Sequence, residues 1–296
     1  MSRAIGETAT VAGLPEWVVS AAVVVTALGD VWFVFLFLGV LYWFGSALPG
    51  PVSLSRPHSA FAVALALGGL ALTTALKEWL RLPRPAGAAE PTAAGLLTML
   101  PPSAHAQVAA ADGFGFPSGH AVAAIVVYGG LALLIDSRRG YAVAGLLCLL
   151  IPLSRVVIGV HYLVDILVGL ALGGGYLAAV YRLCGRGDAP GRAMMIALLV
   201  AVVGAAIHYG QDTMLALGGT LGARIAWGIV GGAVAHEETT LLGGAVSTAV
   251  GLAFASGFAA LYFVEPAPYV SFLGMSVVVA GVLVAPLVGE AVTRRL

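Results

Sequence analysis

Three short strings hold the residues able to do chemistry: Lys77 with Arg84-Pro85, Pro117-Ser118-Gly119-His120, and Ser154-Arg155 followed by His161 and Asp165. Together they supply three cations, two histidines, one carboxylate and a hydroxyl at a helix start. That inventory suits gripping a phosphate, attacking it and protonating what leaves. Arginine offers a planar fork to phosphate oxygens and lysine a compact charge. Taken alone, Lys77 and Arg84 read first as side chains snorkelling to a membrane interface. Lys77 is the single lysine of the chain.

Pro117 and Ser118 announce a helix start, where proline suits the first turn and serine a cap. The first backbone N–H groups there lack helical partners and attract anions. Gly119 lets an oxyanion come close to the backbone. His120 can protonate a leaving oxygen, or be an ordinary interfacial histidine. His161 and Asp165 lie four residues apart, on one helical face. A carboxylate so placed can hold one ring nitrogen protonated, leaving the other to attack phosphorus. Arg155 adds a clamp for phosphoryl oxygens.

The elements that must position these residues are membrane helices. The 296 residues are 60% hydrophobic and only 9% charged, against roughly 25% charged in soluble domains. Apolar stretches long enough for about 30 Å of hydrocarbon recur along the chain. The fold class is therefore all-α, a polytopic transmembrane bundle. Residues 1–15 read as a polar, mobile tail. Residues 16–28 are short for a span and read as an interfacial helix or the first half of a bent one. Spans are expected near 30–47, 58–80, 118–135, 141–157 and 161–183, with a proline-rich connection over 81–116. After a hinge at Gly185 to Arg192, four more are expected near 193–209, 212–235, 239–262 and 267–291. The domains are thus the tail, a catalytic core over 16–184, and an extension over 193–296 whose role stays open. No removable leader is evident.

If the spans alternate, Arg56, Arg138, Arg139, Arg182, Arg186, Arg192, Arg294 and Arg295 share one side. The positive-inside rule makes that side cytoplasmic and turns the motifs outward. Arg224 breaks the pattern, implying either a broken span or a polar interior. Zero net charge argues against nucleic acid as a partner. Cys148 and Cys184 form no metal spacing and no disulfide framework. His105 and Asp112 read as loop residues; His208, Asp212, His236, Glu237, Glu238 and Glu290 read as interfacial.

The strings KEWLRLPRP, PSGH and SRVVIGVHYLVD resemble the signature of the type 2 phosphatidic acid phosphatase superfamily: Lys-x6-Arg-Pro, Pro-Ser-Gly-His and Ser-Arg-x5-His-x3-Asp. They depart from it at no motif position, and the resemblance covers roughly residues 16–183. It implies a core of about six helices and a metal-independent mechanism with no cofactor. His161 is implied as the nucleophile that becomes phosphohistidine, Asp165 as its orienting carboxylate, and His120 as the acid. Lys77, Arg84, Ser118, Gly119 and Arg155 are implied to hold the phosphoryl oxygens. The expected substrate is a lipid phosphate or diphosphate, of the polyprenyl diphosphate or phosphatidic acid type, met among membrane lipids. Phosphotransfer at the same site, headgroup transport without chemistry, and homo-oligomerisation stay open.

Overall fold

The computed structural model describes residues 3–6, 11, 13–50, 53–90, 111–237 and 239–295, and these contain ten helices and no strand. Expected features at His105 and Glu238, and the middle of the 81–116 connection, lie outside the described residues. Six helices form the first part: α1 (Glu16–Ala27), α2 (Val31–Phe44, prolonged by a 3-10 turn at Gly45–Ala47), α3 (Arg56–Leu80), α4 (Gly119–Ile135), α5 (Arg138–Val157) and α6 (Leu163–Leu183). Four follow: α7 (Pro190–Ile207), α8 (Gln211–His236), α9 (Leu241–Val264) and α10 (Pro268–Thr293). Seven of the ten are long and apolar enough to cross a membrane. Seven of the nine expected spans fall within a few residues of them; the spans expected at 30–47 and 118–135 correspond instead to α2, which reaches that length only together with α1, and to α4, a shorter apolar helix.

Local chemistry sets the boundaries. Ser55 caps α3, accepting from the His58 N–H, and Ser137 caps α5 through the Gly140 N–H. Proline opens α7 and α10, where its missing N–H costs nothing. α1 and α2 meet at a 47° bend across Leu28-Gly29-Asp30. Val23 of α1 packs with Ile158 and Val160 at one end of the bundle. Gly45, just after α2, lies against the Arg56 side chain at the other end. The two helices reach the length and hydropathy of one span only when joined across this bend. α4 widens into a π-helix over Ala124–Gly129, a distortion common beside functional sites. Cys148 Sγ donates to the Ala124 carbonyl there. Cys148 and Cys184 are both free thiols.

The last four helices pack closely on the first six. Tyr42 Oη donates to the Leu283 carbonyl at 2.7 Å and Trp43 Nε1 to that of Val282 at 3.1 Å. Gly204 of α7 meets Ala75 of α3, a close approach that small residues permit in lipid.

Glu290 differs from expectation, and the structure gives Arg56 and Arg224 definite settings. Glu290 is not interfacial but 2% exposed, and it binds Arg56, itself 3% exposed, at 3.0 Å. Thr240 completes the carboxylate's shell through its N–H and hydroxyl. Arg56 therefore ties α3 to α10. α8 runs unbroken through Arg224, so the broken-span alternative fails. The Arg224 guanidinium lies against Gly228 of the same helix, with its Nε buried and without a partner among the described residues.

Removing one partner of a buried pair leaves an uncompensated charge, at a cost of about 3–5 kcal/mol. Glu290→Ala should therefore lower the melting temperature of the detergent-solubilised protein sharply. The double change Arg56→Met with Glu290→Met should recover most of that loss. Equal melting of Glu290→Ala and the parent would show that the pair does not hold the bundle.

Candidate active site

The three motifs meet at one end of the bundle. Lys77 comes from the last turn of α3 and Arg84 from the stretch just beyond it. Ser118, Gly119 and His120 open α4; Arg155 closes α5; His161 lies in the turn before α6, and Asp165 in its first turn. The backbone stitches these ends together: the Ser118 N–H donates to the Asp165 carbonyl at 3.0 Å, and the His161 N–H to that of Arg155 at 3.3 Å.

Asp165 is fully buried. Its Oδ2 accepts from the Tyr162 N–H at 3.0 Å and lies 3.3 Å from His161 Nδ1. Arg84 Nη1 is 3.0 Å from His161 Nε2. A guanidinium can only donate, so Nε2 must present its lone pair and the ring proton belongs on Nδ1, facing the carboxylate. The contacts on both sides of the ring select the same tautomer. Arg84 is held by the Asp112 and Val160 carbonyls at 2.9 and 3.1 Å. Burial, reinforced by Arg84, Arg155, Lys77 and His120, drives the His161 pKa well below the ordinary imidazole value. The ring is a neutral base at neutral pH.

Several donors are not engaged within the protein. Ser118 is the N-cap of α4, yet its side chain makes no capping bond, contrary to the simplest reading of the motif. Its Oγ is buried and without a partner among the described residues, as is Arg155 Nε. Arg155 Nη1 donates to Thr26 Oγ1 at 3.1 Å, which sets the direction of the guanidinium. A Cβ on Gly119 would meet only Thr73 Cγ2, at 3.4 Å, so protein packing alone does not demand glycine there. His208 sits beside Glu78 and Arg81, and Glu237 pairs with Arg294. Both belong to the bundle surface, as expected. Among the described residues no cluster of three or more His, Cys, Asp or Glu side chains could hold a metal.

Three residues near the site escaped the sequence reading. Asp30 Oδ1 lies 2.9 Å from His120 Nε2. Thr26 holds Arg155. Arg3, from the stretch read as a mobile tail, donates to Asp165 Oδ1 through both Nε (3.3 Å) and Nη2 (3.1 Å) and to the Pro83 carbonyl. Its guanidinium lies over the Phe116 and Tyr162 rings. Asp30 had a signal, an acidic residue interrupting an apolar run. Thr26 and Arg3 had none.

The profile of the PAP2 superfamily matches residues 57–187, the stretch that contains every one of these motif residues. Residues 57–187 belong to the PAP2 superfamily. The chain is 32% identical over 111 residues to phosphatidylglycerophosphatase B of Bacillus subtilis, a match covering 34% of this chain and 46% of that protein. It is 35% identical over 95 residues to the lipid A 1-phosphatase of Rhizobium etli, covering 31% and 38%. The chain thus spans less than half the length of these curated PAP2 relatives. No solved structure matches it.

The electrostatics of this PAP2 site have a measurable consequence. His161 should stay neutral on acidification through the range where an ordinary imidazole, near 6.5, takes up a proton. Histidine 13C spectra in detergent, with the His161 signals assigned by their loss in His161→Ala, should show that ring still neutral there. The unfolded chain binds that proton more readily. The stability His161 contributes is therefore complete above the ordinary imidazole value and is lost as pH falls toward the depressed one. A His161 ring that takes up a proton in that range would contradict this.

Proposed function

We propose that the chain is an integral membrane phosphatase acting on a lipid phosphate or diphosphate, through a phosphohistidine intermediate and without a metal. One observation carries this reading. A nucleophile-ready His161 Nε2 sits among cations whose donors, with the Ser118 hydroxyl, are not fully used by the protein. A bound phosphoryl group would take up Arg155 Nε, Ser118 Oγ and the Lys77 ammonium, and would draw Arg84 away from Nε2. The lone pair thus released attacks phosphorus, while Asp165 offsets the charge that grows on the ring. His120 gives a proton to the leaving oxygen. Water then cleaves the phosphorus–nitrogen bond and inorganic phosphate departs. Headgroup transport without chemistry gives no reason for a carboxylate and a guanidinium to select the His161 tautomer.

The names of the two relatives support a lipid substrate, as does a site at helix ends, where a headgroup sits while its tail stays in hydrocarbon. Arg138, Arg139, Arg182, Arg186 and Arg192 lie at the opposite end of α4 to α7. By the positive-inside rule that end is cytoplasmic and the site faces outward. Residues 16–184 are the catalytic core in this reading, and the extension braces α2 and α3.

The test is phosphate release by the detergent-purified protein from a polyprenyl diphosphate, phosphatidic acid and a water-soluble phosphate ester, with EDTA present. Release from a lipid substrate should survive the chelator, and His161→Ala should lower it by about 10³-fold or more. Millimolar vanadate should inhibit. Activity abolished by EDTA and restored by Mg²⁺, or equal turnover in His161→Ala, would overturn the proposal.

A further inference from the structure

The bend between α1 and α2 faces His120 with three consecutive residues. The Leu28 carbonyl accepts from Tyr128 Oη at 2.6 Å, and Tyr128 belongs to the π-helical segment one turn beyond His120. A Cβ on Gly29 would come 2.7 Å from His120 Cδ2 and 2.6 Å from Ile151 Cγ2, so only glycine allows the ring to lie where it does. Asp30 follows with its carboxylate on Nε2. The second oxygen of Asp30 accepts from Trp32 Nε1 at 3.3 Å. Asp30 and His120 are both shielded, with side chains 15% and 17% exposed. Asp30 is the N-cap of α2, yet its side chain makes no capping bond. The carboxylate is committed to the histidine 90 residues away.

We infer that Asp30 is a positioning residue for the acid step, making His120–Asp30 a second histidine–carboxylate pair beside His161–Asp165. The inference rests on the phosphatase reading and deepens it. A carboxylate only accepts, so Nε2 must carry its proton toward Asp30. Nδ1, which has no partner among the described residues, is left for the substrate. The carboxylate also opposes the repulsion that Lys77 and Arg155 exert on a protonated ring. The first step then balances. His120 enters the step as the imidazolium, with protons on both nitrogens; His161 Nε2 forms a bond to phosphorus, the bond from phosphorus to the ester oxygen breaks, and that oxygen takes the proton from His120 Nδ1. The products are an alcohol, phosphohistidine and a neutral His120. In the second step water attacks phosphorus, its proton passes to His120 Nδ1, and His161 is freed. Asp30 holds the ring through both transfers and touches no reacting atom.

A leaving alkoxide needs that proton, whereas p-nitrophenolate departs without it. The experiment compares single-turnover release of the leaving group from a short-chain phosphatidic acid and from p-nitrophenyl phosphate, for the parent, Asp30→Asn, Asp30→Glu and His161→Ala. Asp30→Asn should slow the lipid ester by about 10²-fold, a typical share of general-acid catalysis. It should change p-nitrophenolate release by less than about threefold. Asp30→Glu should restore part of the lost rate. Equal slowing of both esters, or of neither, would refute the role of Asp30 while leaving the phosphatase intact. No difference between the parent and His161→Ala on either ester would instead remove the phosphatase reading, and this inference with it. A readout that needs no variant is the histidine 15N spectrum of the parent protein. It should place a proton on His120 Nε2, and a bare Nε2 would overturn the inference.

Discussion

Lys77, Arg84 and Arg155 converge at the rim of an apolar bundle, where their mutual repulsion is poorly screened. Much else at this end of the molecule answers that constraint. Asp165 is buried among the cations and accepts from Arg3 and Tyr162 as well as facing His161. Backbone carbonyls of Asp112 and Val160 take up two faces of Arg84. Asp30 faces the other histidine, its carboxylate 2.9 Å from His120 Nε2. The protein supplies enough negative charge to hold the cations in place and too little to satisfy them. In the proposed reaction a dianionic phosphoryl group completes the balance, and the charge it develops during transfer meets donors already oriented.

Such preorganisation depends on helix ends that do not shift. α3, α4, α5 and α6 each bring one piece of the site. Their ends are joined by backbone hydrogen bonds from Ser118 to Asp165 and from His161 to Arg155. At the far end, the Arg56–Glu290 pair fastens α3 to α10, and Tyr42 and Trp43 fasten α2 to the same helix. The last four helices lie outside the PAP2 match but are packed into the frame on which Lys77 and Asp30 are carried. Through these contacts they brace α2 and α3.

The motif chemistry was legible in the sequence because its spacing is local. His161 and Asp165 share a helical face, Arg84 follows Lys77 across a helix end, and Ser118 opens α4. The helices were legible from hydropathy alone. What escaped were contacts between distant segments. Asp30 and His120 are separated by two helices and a long connection, and no period in the sequence relates them. Glu290 read as interfacial because it is near the last arginines, yet tertiary packing buries it against Arg56. Ser118 read as a cap, and the structure withholds its hydroxyl from capping. Arg3 lay in a stretch with no pattern, and only the fold brings it to Asp165.

The central claim is that His161 Nε2 forms a bond to phosphorus during turnover. The most direct measurement is rapid quenching of the protein with a 32P-labelled lipid phosphate under alkaline conditions, followed by peptide mapping. An acid-labile label on His161, formed and lost at rates matching turnover, is the predicted result. Turnover with no labelled protein, or a label on any residue other than His161, would contradict it.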